Sequence, residues 1–124
     1  MTQISDKPLS FIELIGAYKE TTSLCDAAEA ARMIKDETQL VLVDVREATE
    51  YDETAIPGAV NIPRGFLEFK IAHACSEASR PILLHCKTGG RAVLAARTLS
   101  ELGYKNVTAY QGTVDDLLTA IASD

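Results

Sequence analysis

The sequence predicts an α/β domain built on a mainly parallel sheet with helices on both faces. Short apolar stretches of strand length alternate along the chain with stretches whose apolar residues recur at helical spacing, the pattern of repeated strand–helix–strand units. The run Leu40-Val-Leu-Val-Asp-Val45 is nearly continuous rather than alternating, as expected of a strand buried on both faces of a parallel sheet. At 124 residues, with no repeat, low-complexity segment or linker, the chain makes one ordinary domain that can bury about two-thirds of its unfolded surface in a single core.

Taken in order, residues 1–8 are polar and are expected to form a loose tail. Leu9, Phe11, Ile12, Leu14, Ile15 and Tyr18 lie near helical spacing behind Ser10, which predicts a short helix with a wide apolar face, packed on the domain or on a second copy. Asp26 and Glu29 have capping-box spacing ahead of an Ala-rich helix to about Lys35, with Cys25 at its entrance as a structural cysteine. Residues 40–45 form the buried strand. It ends in Asp44, Val45, Arg46 and Glu47, which either face a crevice at the carboxyl end of the sheet or make a structural ion pair. One helical turn over Glu47–Asp52 precedes a turn at Ile56-Pro-Gly-Ala59 and a short strand, Val60–Ile62, stopped by Pro63. Arg64 to His73 reads as a helix with Arg64, an exposed surface charge or an anion contact, at its entrance. Val107–Tyr110 is the last strand, and Thr113 caps a helix to about Ala122.

The stretch that organises the rest is 81–103. Ile82–Leu84 form a short apolar strand behind Pro81, Ala92–Leu102 carry helical spacing, and Gly103 stops the helix. The intervening loop begins at Cys86. Unpaired amides at the start of the following helix aim their positive ends at what precedes them, and a thiolate suits that position. Gly89 and Gly90 permit a tight loop with close approach of its amides, while Lys87 and Arg91 add positive charge. The thiol of Cys86 is therefore expected to ionise below the value of about 8.5 typical of a free cysteine. His85 adjoins the nucleophile, but successive strand residues point to opposite faces, so a structural role is expected for it.

Composition limits the classes. Twelve basic residues against eighteen acidic ones give a net charge of −6 with no basic block, which argues against nucleic acid or an anionic membrane as partner. No apolar run reaches the length of a membrane span, and the first residues lack the apolar core of a signal peptide, so a soluble, cytoplasmic protein is expected. Cys25, Cys75 and Cys86 are odd in number with no Cys-x-x-Cys pair, and His73 and Cys75 lack a partner at ligand spacing; neither a disulfide framework nor a metal site is expected.

Two stretches together resemble a known family: Leu42-Val-Asp-Val-Arg-Glu47 with Tyr51 and Ile56-Pro-Gly-Ala-Val-Asn-Ile-Pro63, then Ile82-Leu-Leu-His-Cys-Lys-Thr-Gly-Gly-Arg91 before an Ala-rich helix. The chain is similar over about residues 24–120 to single-domain rhodaneses, which are sulfurtransferases. The resemblance implies a small, mainly parallel five-stranded sheet with helices on both faces, preceded here by a tail and short helix over 1–21 and occupying 22–124. It implies that Cys86 takes a sulfane sulfur from thiosulfate or a persulfide donor and passes it to a thiol or cyanide. The amides of Lys87, Thr88, Gly89, Gly90 and Arg91 would cradle the outer sulfur, with Lys87 and Arg91 holding the anionic donor and Asp44 and Arg46 supporting the loop. No cofactor is implied, and a sulfur-relay protein is a further possible partner. The chain departs from the family at Ala92, where Ser is frequent, at Thr54-Ala55, where Gly-His is frequent, and at Gln111-Gly112-Thr113 in place of Gly-Gly-Trp; the chain has no Trp.

Two rivals remain. Related phosphatases and arsenate reductases place five residues between cysteine and arginine to cradle a tetrahedral oxyanion, whereas only Lys87, Thr88, Gly89 and Gly90 intervene here. A relay or docking module that accepts sulfur without turning over a small donor would keep the same loop.

Overall fold

The computed structural model describes residues 6–123; residues 1–5 and 124, and with them most of the expected tail, lie outside the described residues. Within the described residues five strands, β1 (Ser23–Cys25), β2 (Val41–Asp44), β3 (Val60–Asn61), β4 (Ile82–His85) and β5 (Val107–Tyr110), form one sheet in the order β1-β5-β4-β2-β3. Every pairing is parallel. Among the described residues six α-helices connect and cover them: α1 (Phe11–Lys19), α2 (Ala27–Asp36), α3 (Ala48–Glu53), α4 (Leu67–Ala74), α5 (Gly90–Glu101) and α6 (Val114–Ala122).

The strand residues divide between two cores, as their alternation demands. Val41 and Val43 of β2 and Ile82 and Leu84 of β4 join Ile15 of α1, Leu67 and Ile71 of α4, and Val93 and Leu99 of α5 on one face. Leu42 and Leu83 join Ala30 of α2, Tyr110, and Val114 and Leu117 of α6 on the other. All four residues of β2 and of β4 are buried, which accounts for their continuous apolar runs.

The helix ends follow the capping signals. Ser10 and Glu13 close a capping box on α1, Asp26 accepts from the amide of Glu29 at the start of α2, and Thr113 accepts from that of Asp116 at the start of α6. Gly103, at φ +102°, follows α5 in a conformation that suits glycine.

Three elements differ from expectation. β1 is absent from the sequence reading because a three-residue edge strand with two exposed members carries no recognisable pattern. The helix expected over 64–73 is a 3₁₀ turn, Arg64–Phe66, followed by α4, since Pro63 sets the entry and Gly65 weakens the first turn. Helix α5 starts at Gly90 rather than Ala92, which places Gly90 and Arg91 in its first turn and shortens the loop before it to Cys86–Gly89.

The topology fixes where a ligand can bind. From β2 the chain moves outward to β3, then returns to β4 and moves the opposite way to β5, so the order reverses between β2 and β4. The carboxyl ends of these neighbours, with Asp44 paired to His85, border the crevice where open parallel sheets bind ligands. Cys86 is the next residue.

Candidate active site

The Cys86 side chain is buried, at 1% exposure, and belongs to the core on the α5 face. Its Sγ accepts hydrogen bonds from the amide of Gly89 at 3.0 Å and from that of Ala92 at 3.4 Å. Both donors come from the beginning of α5, where amides lack intrahelical partners and the helix presents its positive end. Gly89 reaches its position at φ +121°, a region disfavoured for side-chain-bearing residues. The donor from Ala92 escaped sequence reasoning because it is a backbone group of a helix whose start lies two residues earlier than the apolar spacing indicated.

Lys87 and Thr88 are exposed and line a cavity of about 370 Å³ beside the loop, together with Arg46, Glu50, Glu53, Thr54, Thr113, Val114 and Asp115. Arg91 adopts a different arrangement. Its guanidinium makes paired hydrogen bonds to the Glu50 carboxylate of α3 at 2.8 and 3.0 Å, and each partner is about 30% exposed. Hydrogen bonding from Arg91 holds the Glu50 carboxyl down to about 2, and the pairing raises the Arg91 value in turn. Glu50 is a residue the sequence did not single out, since nothing local connects it to a partner 41 positions away.

Asp44 and Arg46 form a buried ion pair at the end of β2. Nη2 of Arg46 lies 2.7 Å from Oδ2 of Asp44, Nε donates to both carboxylate oxygens, and the same Nη2 donates to the carbonyl of Thr54 at 2.6 Å. The Asp44 side chain also accepts from the amide of Arg46, and Asn61 donates to the carbonyls of Asp44 and Arg46. The pair thus ties the end of β2 to the segment after α3, while Asn61 ties it to β3. Of the two alternatives left by the sequence, the structural ion pair describes these contacts, while Arg46 also borders the cavity.

His85 lies on the face opposite Cys86. It is fully buried, and its Nε2 is 3.7 Å from Oδ2 of Asp44. Burial pushes its imidazole value down against the pull of Asp44, and we assign the neutral form, so the proximity is not an ion pair. Cys25 is likewise buried, and burial pushes its thiol up to about 11, in keeping with a structural role. Arg64 is neither free nor at the site: it pairs with Glu68 at 3.1 Å and donates to Thr98 Oγ1 at 2.8 Å. Among the described residues no group of three or more His, Cys, Asp or Glu side chains is gathered to hold a metal ion.

Two further side chains reach the loop from outside it. Gln111, just beyond β5, donates from Nε2 to the carbonyl of Gly89 at 3.2 Å, and Phe11 of α1 lies against Gly90, where an added Cβ would come within 3.0 Å of the ring.

Residues 26–119 match the Rhodanese-like domain family. The chain belongs to this family. It is 39% identical over 74 residues to a putative sulfur carrier protein of Bacillus subtilis (strain 168), a match covering 60% of this chain and 39% of that protein. It is 31% identical over 93 residues to the thiosulfate:glutathione sulfurtransferase of Saccharomyces cerevisiae (strain ATCC 204508 / S288c), covering 66% of this chain and 67% of the relative. The chain therefore spans well under half of the first relative's length and about two-thirds of the second's. Among solved structures, a protein of unknown function from Rhodopseudomonas palustris CGA009, described as a possible tyrosine phosphatase, superposes with a TM-score of 0.80 at 25% identity. That superposition covers 97% of this chain and 96% of the other.

Proposed function

We propose that this chain is a sulfurtransferase that carries a sulfane sulfur as a persulfide on Cys86. The observation that carries the proposal is the convergence of the Gly89 and Ala92 amides on one buried sulfur at the N-terminus of α5, which favours negative charge there. Family membership and relatives named for sulfur carriage and for thiosulfate:glutathione sulfur transfer support the same chemistry.

In the first half-reaction the Cys86 thiolate attacks the outer sulfur of thiosulfate. A sulfur–sulfur bond forms to Cys86 as the donor's own sulfur–sulfur bond breaks, and sulfite leaves with the electron pair. The product is a Cys86 persulfide whose negative outer sulfur rests among amides of the loop from Lys87 to Arg91, an arrangement that needs little reorganisation during the reaction. In the second half-reaction a thiolate or cyanide attacks that outer sulfur and restores the Cys86 thiolate. Sulfur moves at the sulfane level directly from donor to acceptor, so the two half-reactions need no external oxidant or reductant.

Lys87, exposed at the cavity, is the cation we assign to holding the anionic donor, with Thr88 beside it. Arg91 contributes from its pair with Glu50, which fastens the first turn of α5 to α3; the donor-holding role expected for it is reassigned because its fork is already filled. Asp44 and Arg46 support the crevice from below. We read residues 22–124 as the catalytic domain, with α1 as an addition packed on α5. A cytoplasmic setting is part of the proposal: it would keep the three free thiols reduced. In the described residues no helix is long and apolar enough to cross a membrane.

Mass spectrometry of the protein after thiosulfate treatment tests the proposal. One added sulfur is expected on the peptide containing Cys86, released by cyanide or dithiothreitol and absent from Cys86→Ala. No added sulfur from thiosulfate or from a persulfide donor would end the sulfurtransferase reading. Accepting sulfur from a persulfide but not from thiosulfate would favour a relay module instead. The description of the superposed structure as a possible phosphatase makes a chromogenic phosphate ester the natural control; the four-residue interval between Cys86 and Arg91 and the engagement of Arg91 by Glu50 both argue for no turnover.

A further inference from the structure

Gly89 supplies the shorter of the two amide bonds to the Cys86 sulfur, yet glycine is the residue least able to hold its own backbone in place. Its φ of +121° has no side chain to fix it, so the orientation of that N–H depends on contacts from elsewhere. The Gly89 carbonyl accepts from the amide of Val93, the first bond of α5, at 3.0 Å. Its other partner is the side chain of Gln111.

Nε2 of Gln111 lies 3.2 Å from the Gly89 carbonyl and 3.2 Å from the carbonyl of Tyr110. Both neighbours are acceptors, so the nitrogen must be the atom that faces them. The amide also lies flat against the glycine, because a Cβ built on Gly89 would fall 2.7 Å from both Nε2 and Oε1. Gln111 is itself fixed to the sheet, its backbone N–H donating to the carbonyl of Cys25 at 2.9 Å. A continuous set of contacts therefore runs from the end of β1 through Gln111 to Gly89 and on to the sulfur.

We propose that Gln111 is a positioning residue that braces the Gly89 peptide so that its N–H stays aimed at the Cys86 sulfur. It touches neither donor nor acceptor and does not line the cavity beside Lys87. It works through Gly89 on both half-reactions, because the amide that steadies the thiolate also helps orient the persulfide. The inference rests on the sulfurtransferase reading above.

The test compares Gln111→Met and Gln111→Glu with the wild type in steady-state sulfur transfer from thiosulfate to cyanide. Both replacements approximate the glutamine in size, so a role in filling space survives in each, but neither donates to the Gly89 carbonyl at neutral pH, and the carboxylate repels it. Loss of one aligned neutral hydrogen bond predicts a kcat lower by roughly three- to tenfold in Gln111→Met and lower still in Gln111→Glu, with the thiosulfate KM unchanged. Melting temperatures measured alongside identify a misfolded variant, and two chemically different replacements leave one to judge by if the other fails. An unchanged kcat in a folded variant overturns the proposal. So does a loss confined to KM, which would make Gln111 a donor-binding group. If the wild type itself transfers no sulfur, the sulfurtransferase reading is what fails; a defect missing from variants of an active wild type sinks only the brace.

Discussion

Arg91 and Glu50 face each other through two parallel hydrogen bonds, Nη1 to Oε1 at 2.8 Å and Nη2 to Oε2 at 3.0 Å, joining the first turn of α5 to α3. A guanidinium held in this way has its planar fork already matched to a carboxylate. The cationic environment of the loop therefore divides into a fastened charge at Arg91 and an exposed one at Lys87.

That division predicts different kinetics for the two cations. Lys87→Ala should raise the thiosulfate KM by roughly fivefold, the equivalent of about 1 kcal/mol for a partly solvated charge, with little change in kcat. The effect should shrink as salt is added. Arg91→Ala should lower kcat more than it raises KM, because it releases the turn that supplies the amides. Steady-state assays at two ionic strengths check both, and a KM effect larger in Arg91→Ala than in Lys87→Ala would return the donor-holding role to the arginine.

The same pair makes stability depend on acid. Glu50 has its carboxyl depressed from an ordinary value of 4.5 to about 2, so its contribution is fully present above pH 4.5 and is lost as the pH falls toward 2. Urea denaturation across this window should show the wild type losing stability faster than Glu50→Gln, with the difference between them greatest above pH 4.5. Parallel curves for the two proteins would show that the pair is uncoupled from folding. Both side chains are partly exposed, which keeps the expected difference to about 1 kcal/mol.

Asp44 and Arg46 should behave as a buried pair. Asp44 has no exposed surface and Arg46 only 5%, so Arg46→Ala leaves an unmatched carboxylate inside the domain. A loss of about 3–5 kcal/mol in chemical denaturation is expected, well above that for Lys87→Ala. A loss below about 1 kcal/mol would mean that water reaches Asp44 and that the pair acts as a surface contact.

The central parts of the fold were legible because their physical cause is local. The apolar run of β2, the strand before Cys86, the capping residues Asp26 and Thr113, and Gly103 after α5 each impose their conformation over a few residues. The loop on which the proposal rests was legible for a similar reason: a cysteine between a strand and a helix, followed by two glycines and two cations, points to bound negative charge from composition and order alone. The edge strand β1 escaped notice because three residues with one buried member become a strand only through pairing with β5.

The sequence by itself determined the α/β class, the family pattern and the cysteine on which the proposal rests, since these depend on which residue types follow one another. Only the tertiary structure decided how the charges around the loop are engaged: Arg91 on Glu50, Lys87 at the cavity and, of the two alternatives the sequence left open, Arg46 on Asp44. It alone brought Gln111 against Gly89, 22 residues away in the chain. Coulomb attraction and hydrogen bonding act over ångströms in space, and parallel strand order brings together residues whose separation along the chain carries no sign of their meeting.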